Sequence, residues 1–407
     1  MKKQIGISGI GVVSALGAGK NNFWDNIFAG KSNFKKISLF PVKGVKAAVA
    51  GEITDFDARN YLGPKGLRDF DRSTRLLCSA AKLAIDDSGL DITEKNNKKI
   101  GISVGTTFGS VHSISEFHKD ILKNGPKLVN PSAFPNTVMN AAAGRLAIKF
   151  NLKGPNTTLS NGACSFGDAL DFAINLLKNG HAKAMLVGAT QELSSQIFHG
   201  FHQLDVLAGM SKNKIIQSCP FDARRNGVIL AEGAVVFVLE ALTASLSEGK
   251  NIYAAIKSIS SCYNPKRGYC DKAMAQVMIA AMKEAKLNPQ DIDCIFANAN
   301  STQQADALES KAIKKVFGRN TNSIPVTAIK SILGETYSAS GGFNLAAAIG
   351  TIKKSIIAPT INYQQKDSQC DLSFLANTPQ KVKANNVLLN EFDCFGANNT
   401  TIITKFK

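Results

Sequence analysis

The strand-like run Asn156-Thr157-Thr158-Leu159-Ser160 leads straight into Asn161-Gly162-Ala163-Cys164-Ser165-Phe166-Gly167-Asp168, and then into an alanine- and leucine-rich helical stretch ending at Asn179-Gly180. No other feature constrains the chain as much. A strand that becomes a helix within a few small residues is the building unit of a layered α/β protein, and here the turn carries a cysteine. A thiol at the first turn of a helix faces unpaired N–H groups and the positive end of the helix dipole, which favour thiolate over thiol. The expectation is a nucleophile able to hold an acyl group as a thioester. Such a nucleophile is ordinarily served by a positioned base or donor, most often histidine, and no histidine occurs beyond His202.

Around this unit the sequence alternates strands and helices. Residues 5–13 read as a strand, followed by a helix near Lys20–Phe28 that ends at Gly30; Arg72–Ser88 repeats apolar residues at helical spacing and stops at Gly89. Lys99–Thr106 reads as a buried strand, Ala141–Asn151 as a helix and Ala184–Gly188 as a strand. Strands are predicted at 234–240, 252–260 and 291–297, with helices at 271–287, 305–317 and 342–355. The last of these is rich in small residues, so burial is expected. Each half of the chain offers its elements in similar order, which predicts two pseudo-equivalent halves, 1–245 with Cys164 and 246–407.

A length of 407 residues exceeds the roughly 250–300 at which one core usually stops growing. Apolar residues make up 44% and charged residues 19%, which excludes a disordered or fibrous chain. Eight cysteines without a C-x-x-C pair or a His/Cys cluster argue for free thiols in a cytoplasmic compartment, with neither a disulfide nor a metal site. The glycine-broken apolar run at the N-terminus reads as strand and turn rather than signal peptide. No stretch of about 18 uninterrupted apolar residues is present to insert into a membrane. The net charge of +17 implies an acidic partner. The lysines do not cluster, and no zinc-finger spacing, RNP-like string or basic-aromatic stripe supports nucleic acid. An acidic carrier protein fits better, and a compositional bias toward lysine beside asparagine is the plain alternative.

Several ordered strings carry a resemblance: Ser8-Gly9-Ile10-Gly11-Val12-Val13-Ser14, Gly154-Pro155-Asn156 leading to Ala163-Cys164-Ser165, and Cys219-Pro220-Phe221-Asp222-Ala223-Arg224-Arg225-Asn226-Gly227 followed by Ala231-Glu232-Gly233-Ala234. Asp306–Gly318, Lys330-Ser331-Ile332-Leu333-Gly334 and Asn390-Glu391-Phe392-Asp393-Cys394-Phe395-Gly396-Ala397-Asn398 continue it. Together they resemble the elongating β-ketoacyl-acyl-carrier-protein synthases, condensing enzymes of the thiolase fold, from about residue 4 to 403. The resemblance implies a five-layer α-β-α-β-α protomer, usually dimeric, in which Cys164 accepts an acyl chain from acyl-carrier protein without any cofactor.

Two histidines complete that site in the family. The string N-A-H-G-T-S-T reads here Asn298-Ala299-Asn300-Ser301-Thr302-Gln303, two residues shorter before Asp306, which puts Asn300 in the first histidine's place. The string K-S-x-x-G-H reads Lys330-Ser331-Ile332-Leu333-Gly334-Glu335, so Glu335 replaces the second. The glutamate expected nine residues on is Asn344, and the glycine-phenylalanine gate of N-S-F-G-F-G-G is Asp393-Cys394. Lys330 is retained, and a Lys330–Glu335 salt bridge is the structural reading of this pair. By resemblance the backbone N–H groups of Cys164 and Cys394 form the oxyanion hole, Phe108, Phe134 and Phe201 line the acyl pocket, and Lys65 and Arg68 face the carrier. The neighbouring basic position is Asp69.

Decarboxylative condensation needs donors aimed at a developing enolate oxygen, and both imidazoles are absent. The sequence therefore predicts a chain-length-factor-like subunit with impaired condensation, paired with a ketosynthase in fatty acid, polyketide or polyene synthesis. The alternative is a Cys164-dependent acyltransferase or atypical ketosynthase using acyl-carrier-protein thioesters. Homodimer and heterodimer both remain open, and His199 or His202 is the remaining candidate for a base.

Overall fold

The structure is a computed structural model that describes residues 4–42, 44–45, 48–210, 215–242, 249, 251–266, 268–374 and 376–406. Its strands fall into two groups of the same pattern. In the first, β1 (Ile5–Ser14) pairs antiparallel with β5 (Gly233–Ala241), which pairs antiparallel with β4 (Ala184–Gln191). Next to β4 lie β2 (Ile100–Gly105) and then β3 (Asn156–Leu159), both parallel. In the second, β6 (Ala254–Tyr263) pairs antiparallel with β10 (Ala397–Thr404), which pairs antiparallel with β9 (Asn386–Phe392). Beyond β9 come β7 (Cys294–Phe296) and β8 (Val326–Thr327), again parallel. Both groups thus run antiparallel, antiparallel, parallel, parallel. They join where Ile5–Ile7 meets 254–256.

Helices cover both faces of each group, so β1, β2, β4 and β5 are buried almost throughout. Helices α2 (Arg72–Ser88) and α4 (Ala141–Lys149) lie outside the first group, and α7 (Asp271–Ala285) and α8 (Gln303–Phe317) outside the second. Between the groups run α5 (Ser165–Lys178) and α9 (Ser340–Lys354), each touching strands of both. This is the five-layer α-β-α-β-α arrangement that the family resemblance implies. The inner core joins β1, β5, β9, α5 and α9 through Phe166, Phe237, Phe343, Leu389 and Ile349. Two outer cores lie under α2 and α7. Helix α9 is buried along nearly its whole length, as its small residues predict.

Local chemistry places the ends. Asp71 caps α2 by accepting the Thr74 N–H at 2.8 Å, and Gly89 closes it at φ 63 in the left-handed region. Three features were not legible. Helix α3 (Val111–Asn124) has no buried residue, and α6 (Ser195–Gln203) is short. Strands β9 and β10 form a hairpin whose polar run Asn398-Asn399-Thr400-Thr401 hides its burial. Thr400 Oγ1 donates to Asn390 Oδ1 across the hairpin at 3.0 Å, which satisfies polar groups that would otherwise oppose burial. The division placed after residue 245 falls outside the described residues. Among the described residues no helix is long and apolar enough to cross a membrane.

Candidate active site

Parallel strands deliver their C-terminal ends to one edge, and the site assembles there from both halves. Strand β3 ends at Leu159 and runs into the turn Gly162–Cys164, which opens α5. Strand β8 likewise runs into the turn Lys330–Leu333, and β7 continues into Asn298-Ala299-Asn300. The hairpin β9–β10 closes the group with Asp393 and Cys394 at its tip.

Cys164 is fully buried, and its thiol donates to the Glu391 carbonyl at 3.2 Å. An acceptor at the sulfur favours the protonated form. Burial, then the carboxyls of Glu391, Asp393 and Asp168, hold the thiol well above its ordinary range. This corrects the expectation of a thiolate stabilised by the helix start, because desolvation and three neighbouring acids outweigh the dipole. The Cys164 N–H, expected to be open to an oxyanion, donates to Asn161 O at 3.1 Å. Cys394, the other expected donor, sits on an exposed tip. The Asp393 carboxylate ties the two turns together, accepting from Ala163 N–H and from Phe395 N–H, both at 2.7 Å. It occupies the space beside Gly162, whose φ of 56 and missing Cβ allow the approach.

Glu335 and Lys330 form a buried ion pair at 2.9 Å, with side chains only 3% and 4% exposed. The ammonium also donates to Asn298 Oδ1 at 3.1 Å. The Asn300 amide donates to the same Glu335 oxygen, Oε2, at 3.3 Å, so the two residues expected in place of the family's histidines bond to one another. The other oxygen, Oε1, accepts from Tyr337 N–H at 2.9 Å and from Ser340 Oγ at 2.7 Å. Asn300 Oδ1 is taken by Thr302, and the Asn300 N–H by Asp306. Lys330, Asn300 and Glu335 are thus each engaged in this network.

Three acids contribute that the sequence reading did not single out as site residues. Glu391 is buried, and desolvation pushes its carboxyl up to about 8 although Lys330 acts to lower it. Its Oε2 accepts from Gly167 N–H at 3.1 Å, and Gly341 leaves room for it at the start of α9. Asp306 and Glu309 are raised to about 6 and about 7, again mainly by burial. The string N-S-F-G-F-G-G already marked Glu391, since glutamate stands where that motif has serine. Tyr337 and Tyr269 were missed altogether. Burial, with Glu335 or Cys394 next, holds both phenols well above their ordinary range.

Phe108 and Phe201 come together with ring centroids 6.0 Å apart, and Tyr337 completes a triangle with them. Phe134 lies elsewhere, exposed and with its ring centroid 5.9 Å from that of Phe117 in a tilted pair, so the structure does not bring it into this group. His199 and His202 lie half-buried on α6, and neither is the partner of the Cys164 sulfur. Lys65 and Arg68 are exposed. Arg68 lines a cavity of about 630 Å³ with Asp57, Arg59, Arg72, Arg75, Phe56 and Phe70; Arg59 is paired with Asp57 and Arg72 with Glu232.

Residues 2–245 match the beta-ketoacyl synthase N-terminal domain, and residues 253–364 match the beta-ketoacyl synthase C-terminal domain. The chain is 31% identical over 410 residues to 3-oxoacyl-(acyl-carrier-protein) synthase 2 of Coxiella burnetii, covering 99% of each chain. It is 32% identical over 399 residues to the tetracenomycin polyketide synthase ketoacyl synthase alpha subunit of Streptomyces glaucescens, covering 95% of this chain and 93% of that one. The structure of the ishigamide ketosynthase/chain length factor superposes with a TM-score of 0.93 at 25% identity, over 100% of both chains. That of a type II polyketide acyl-carrier protein in complex with its ketosynthase bound to the hexaketide gives 0.91 at 26% identity, again over 100% of both. With both domains matched and full-length relatives above 30% identity, the chain belongs to the β-ketoacyl synthase family.

Proposed function

We propose that this chain is a β-ketoacyl-synthase-like subunit of acyl-carrier-protein-dependent fatty acid or polyketide synthesis, with its own decarboxylative condensation impaired. It pairs with a ketosynthase-family partner and shapes the pocket for the growing chain. The observation that carries this reading is the Lys330–Glu335–Asn300 network. Loss of a malonyl carboxylate leaves an enolate oxygen that needs hydrogen-bond donors, each worth about 2.7–4 kcal/mol in the transition state. Here one histidine position presents a carboxylate and the other an amide whose N–H bonds that carboxylate. Lys330 is held by Glu335 and Asn298 and does not replace the missing donors. The protonated, buried Cys164 thiol further slows acylation.

Support for a partner comes from the first strand group, whose outer strand β3 has a free edge in this chain. Near it in sequence lie helix α3, which has no buried residue, and the exposed apolar residues Leu122, Leu128, Phe134 and Met139. Such an edge and such a patch are what an interface covers. Support for a carrier protein comes from the arginine-lined cavity and the net charge of +17. A second reading, acyl transfer on Cys164 without decarboxylation, is favoured by the retained thiol and by the Tyr269 and Tyr337 phenols near Glu335, which can serve an oxyanion.

The test is mass spectrometry after incubation with acyl- and malonyl-carrier thioesters, alone and with a co-expressed ketosynthase. The expected result is a stable heterodimer and no β-ketoacyl product from the chain alone. Efficient product formation by the chain alone overturns the reading. Acyl loading of Cys164 with a homodimer that ignores every ketosynthase favours the second.

A further inference from the structure

Strands β2, β3 and β4 run parallel, so they begin at one edge of the sheet as they end at one, and each beginning lies beside a lysine. Ile100 of β2 stands level with Ala184 of β4. Lys99 and Lys183, one residue earlier, are therefore neighbours, and the Lys183 N–H donates to Lys99 O at 2.8 Å. On the other side of β2, the Lys153 N–H donates to Asn97 O at 3.0 Å and the Gly154 N–H to Ile100 O at 3.2 Å. These bonds fix Lys153 beside Lys98 and Lys99. All four lysines are exposed, as is His181. The backbone thus holds four cationic residues on one rigid edge.

Nothing described in the chain offsets these charges. Asp91 and Glu94, in the turn that precedes Lys98, are exposed, and among the described residues none of the four ammonium groups forms an ion pair. Neighbouring strands lie about 4.8 Å apart, and like charges side by side oppose folding. An anionic layer across the edge relieves that repulsion. Ile148 adds an apolar side chain to the same edge. It is 77% exposed in the last turn of α4, and its carbonyl accepts the Asn151 N–H at 3.3 Å, two residues before Lys153. The edge is remote from the thiol. Six residues of β2, about 20 Å, separate it from Gly105, which lies against Ser165 beside Cys164.

We propose that the edge formed by Lys98, Lys99, Lys153, Lys183 and Ile148 is a docking surface for an anionic lipid bilayer, on which the chain rests with the Cys164 edge turned away. Lysine carries a compact charge without the fork of arginine, which suits a diffuse layer of headgroups better than one phosphate or carboxylate. An exposed apolar side chain among cations suits the headgroup boundary, where it enters the acyl region, whereas a polyanion in water has no use for it. Attachment of this kind is peripheral and needs no spanning helix.

The experiment is flotation of the full chain with vesicles of phosphatidylcholine, alone or with phosphatidylglycerol at roughly one lipid in three. The parent floats with the anionic vesicles, stays behind with the neutral ones, and is released in roughly 0.5 M salt. Each lysine near an anionic surface contributes about fivefold, so the triple variant Lys98→Gln, Lys99→Gln, Lys183→Gln lowers partitioning about 100-fold. Its melting temperature is no lower than the parent's, which separates lost docking from lost folding. Lys272→Gln, Lys283→Gln, Lys286→Gln removes the same charge from exposed positions on and just after α7, and stays within about threefold of the parent. Ile148→Ser weakens flotation about fivefold, as partial burial of one aliphatic side chain requires. Equal losses in the two triple variants mean attraction by net charge alone and overturn the proposal, as does failure of the parent to float. Vesicles ignored while polyglutamate or single-stranded RNA binds the parent and not the Lys98/Lys99/Lys183 variant assign the edge to a soluble polyanion and overturn the bilayer.

Discussion

Replacing Lys330 by methionine probes the network that sets this site apart. The ammonium is 4% exposed and holds Glu335 at 2.9 Å and Asn298 at 3.1 Å. Methionine fills much of the same volume and removes the charge, which leaves Glu335 buried with the donors Asn300, Tyr337 N–H and Ser340 but no cation. Breaking a buried pair by deleting one partner costs about 3–5 kcal/mol. At about 2.1 cal/mol/K per residue, 407 residues give an unfolding entropy near 0.85 kcal/mol/K, so the expected fall in melting temperature is about 4–6 °C. The second arm is Lys330→Met combined with Glu335→Gln. Glutamine keeps an oxygen for Tyr337 N–H and Ser340 Oγ, which Glu335 Oε1 now serves. Its amide no longer needs a cation. The double variant should regain most of the loss, to within about 2 °C of the parent by the same conversion. Differential scanning calorimetry at one protein concentration and one scan rate reads all three. A silent Lys330→Met, or a double variant that loses the sum of both singles, refutes the claim that the two charges stabilise each other.

Glu391 is buried with its carboxyl raised to about 8 from an ordinary value near 4.5. The folded state therefore binds more protons than the unfolded state between those values. This contribution to stability is complete below about pH 4.5 and fades as pH rises to about 8, by at most about 1.4 kcal/mol per unit. Glu192, also raised to about 8, shares the window, so the comparison is Glu391→Gln against the parent. The variant should hold its melting temperature better between about pH 5 and pH 8, the span of that titration; parallel curves contradict the assignment. Cys394 is exposed and Cys164 fully buried with a raised thiol, so iodoacetamide should mark Cys394 first. Alkylation of Cys164 should climb without levelling through about pH 9; a plateau near neutrality in peptide mapping would mean a thiolate. Arg68→Glu should weaken carrier association about tenfold at low ionic strength, and much less in roughly 0.5 M salt, by titration calorimetry. Equal affinity at low salt removes Arg68 from the docking surface.

The legible part of the fold was the part with strong periodicity or turn chemistry. Helix α2 with Asp71 and Gly89, the β3–Cys164–α5 unit and the small-residue helix α9 stand where the amino acids predict them. The hairpin β9–β10 was hidden because its buried face is polar and is satisfied only across the hairpin, as in Thr400 to Asn390. Helix α3 was hidden for the opposite reason, since none of its residues is buried in the structure.

For the site, the family resemblance led to the expectation of Asn300 and Glu335 in place of the two histidines, and the sequence put Lys330 close enough to meet Glu335. Charge state and aim were decided by the tertiary structure. The thiol of Cys164 is protonated because strands from the far half bring the Glu391 carbonyl and two acids, Glu391 and Asp393, to its side, and burial removes the water that would stabilise a thiolate. The direction of Tyr337 depends on a left-handed turn and a hydrogen bond to Glu335, neither of which a one-dimensional pattern records. Local propensity acts between neighbours along the chain, whereas desolvation and orientation depend on groups brought together from distant segments.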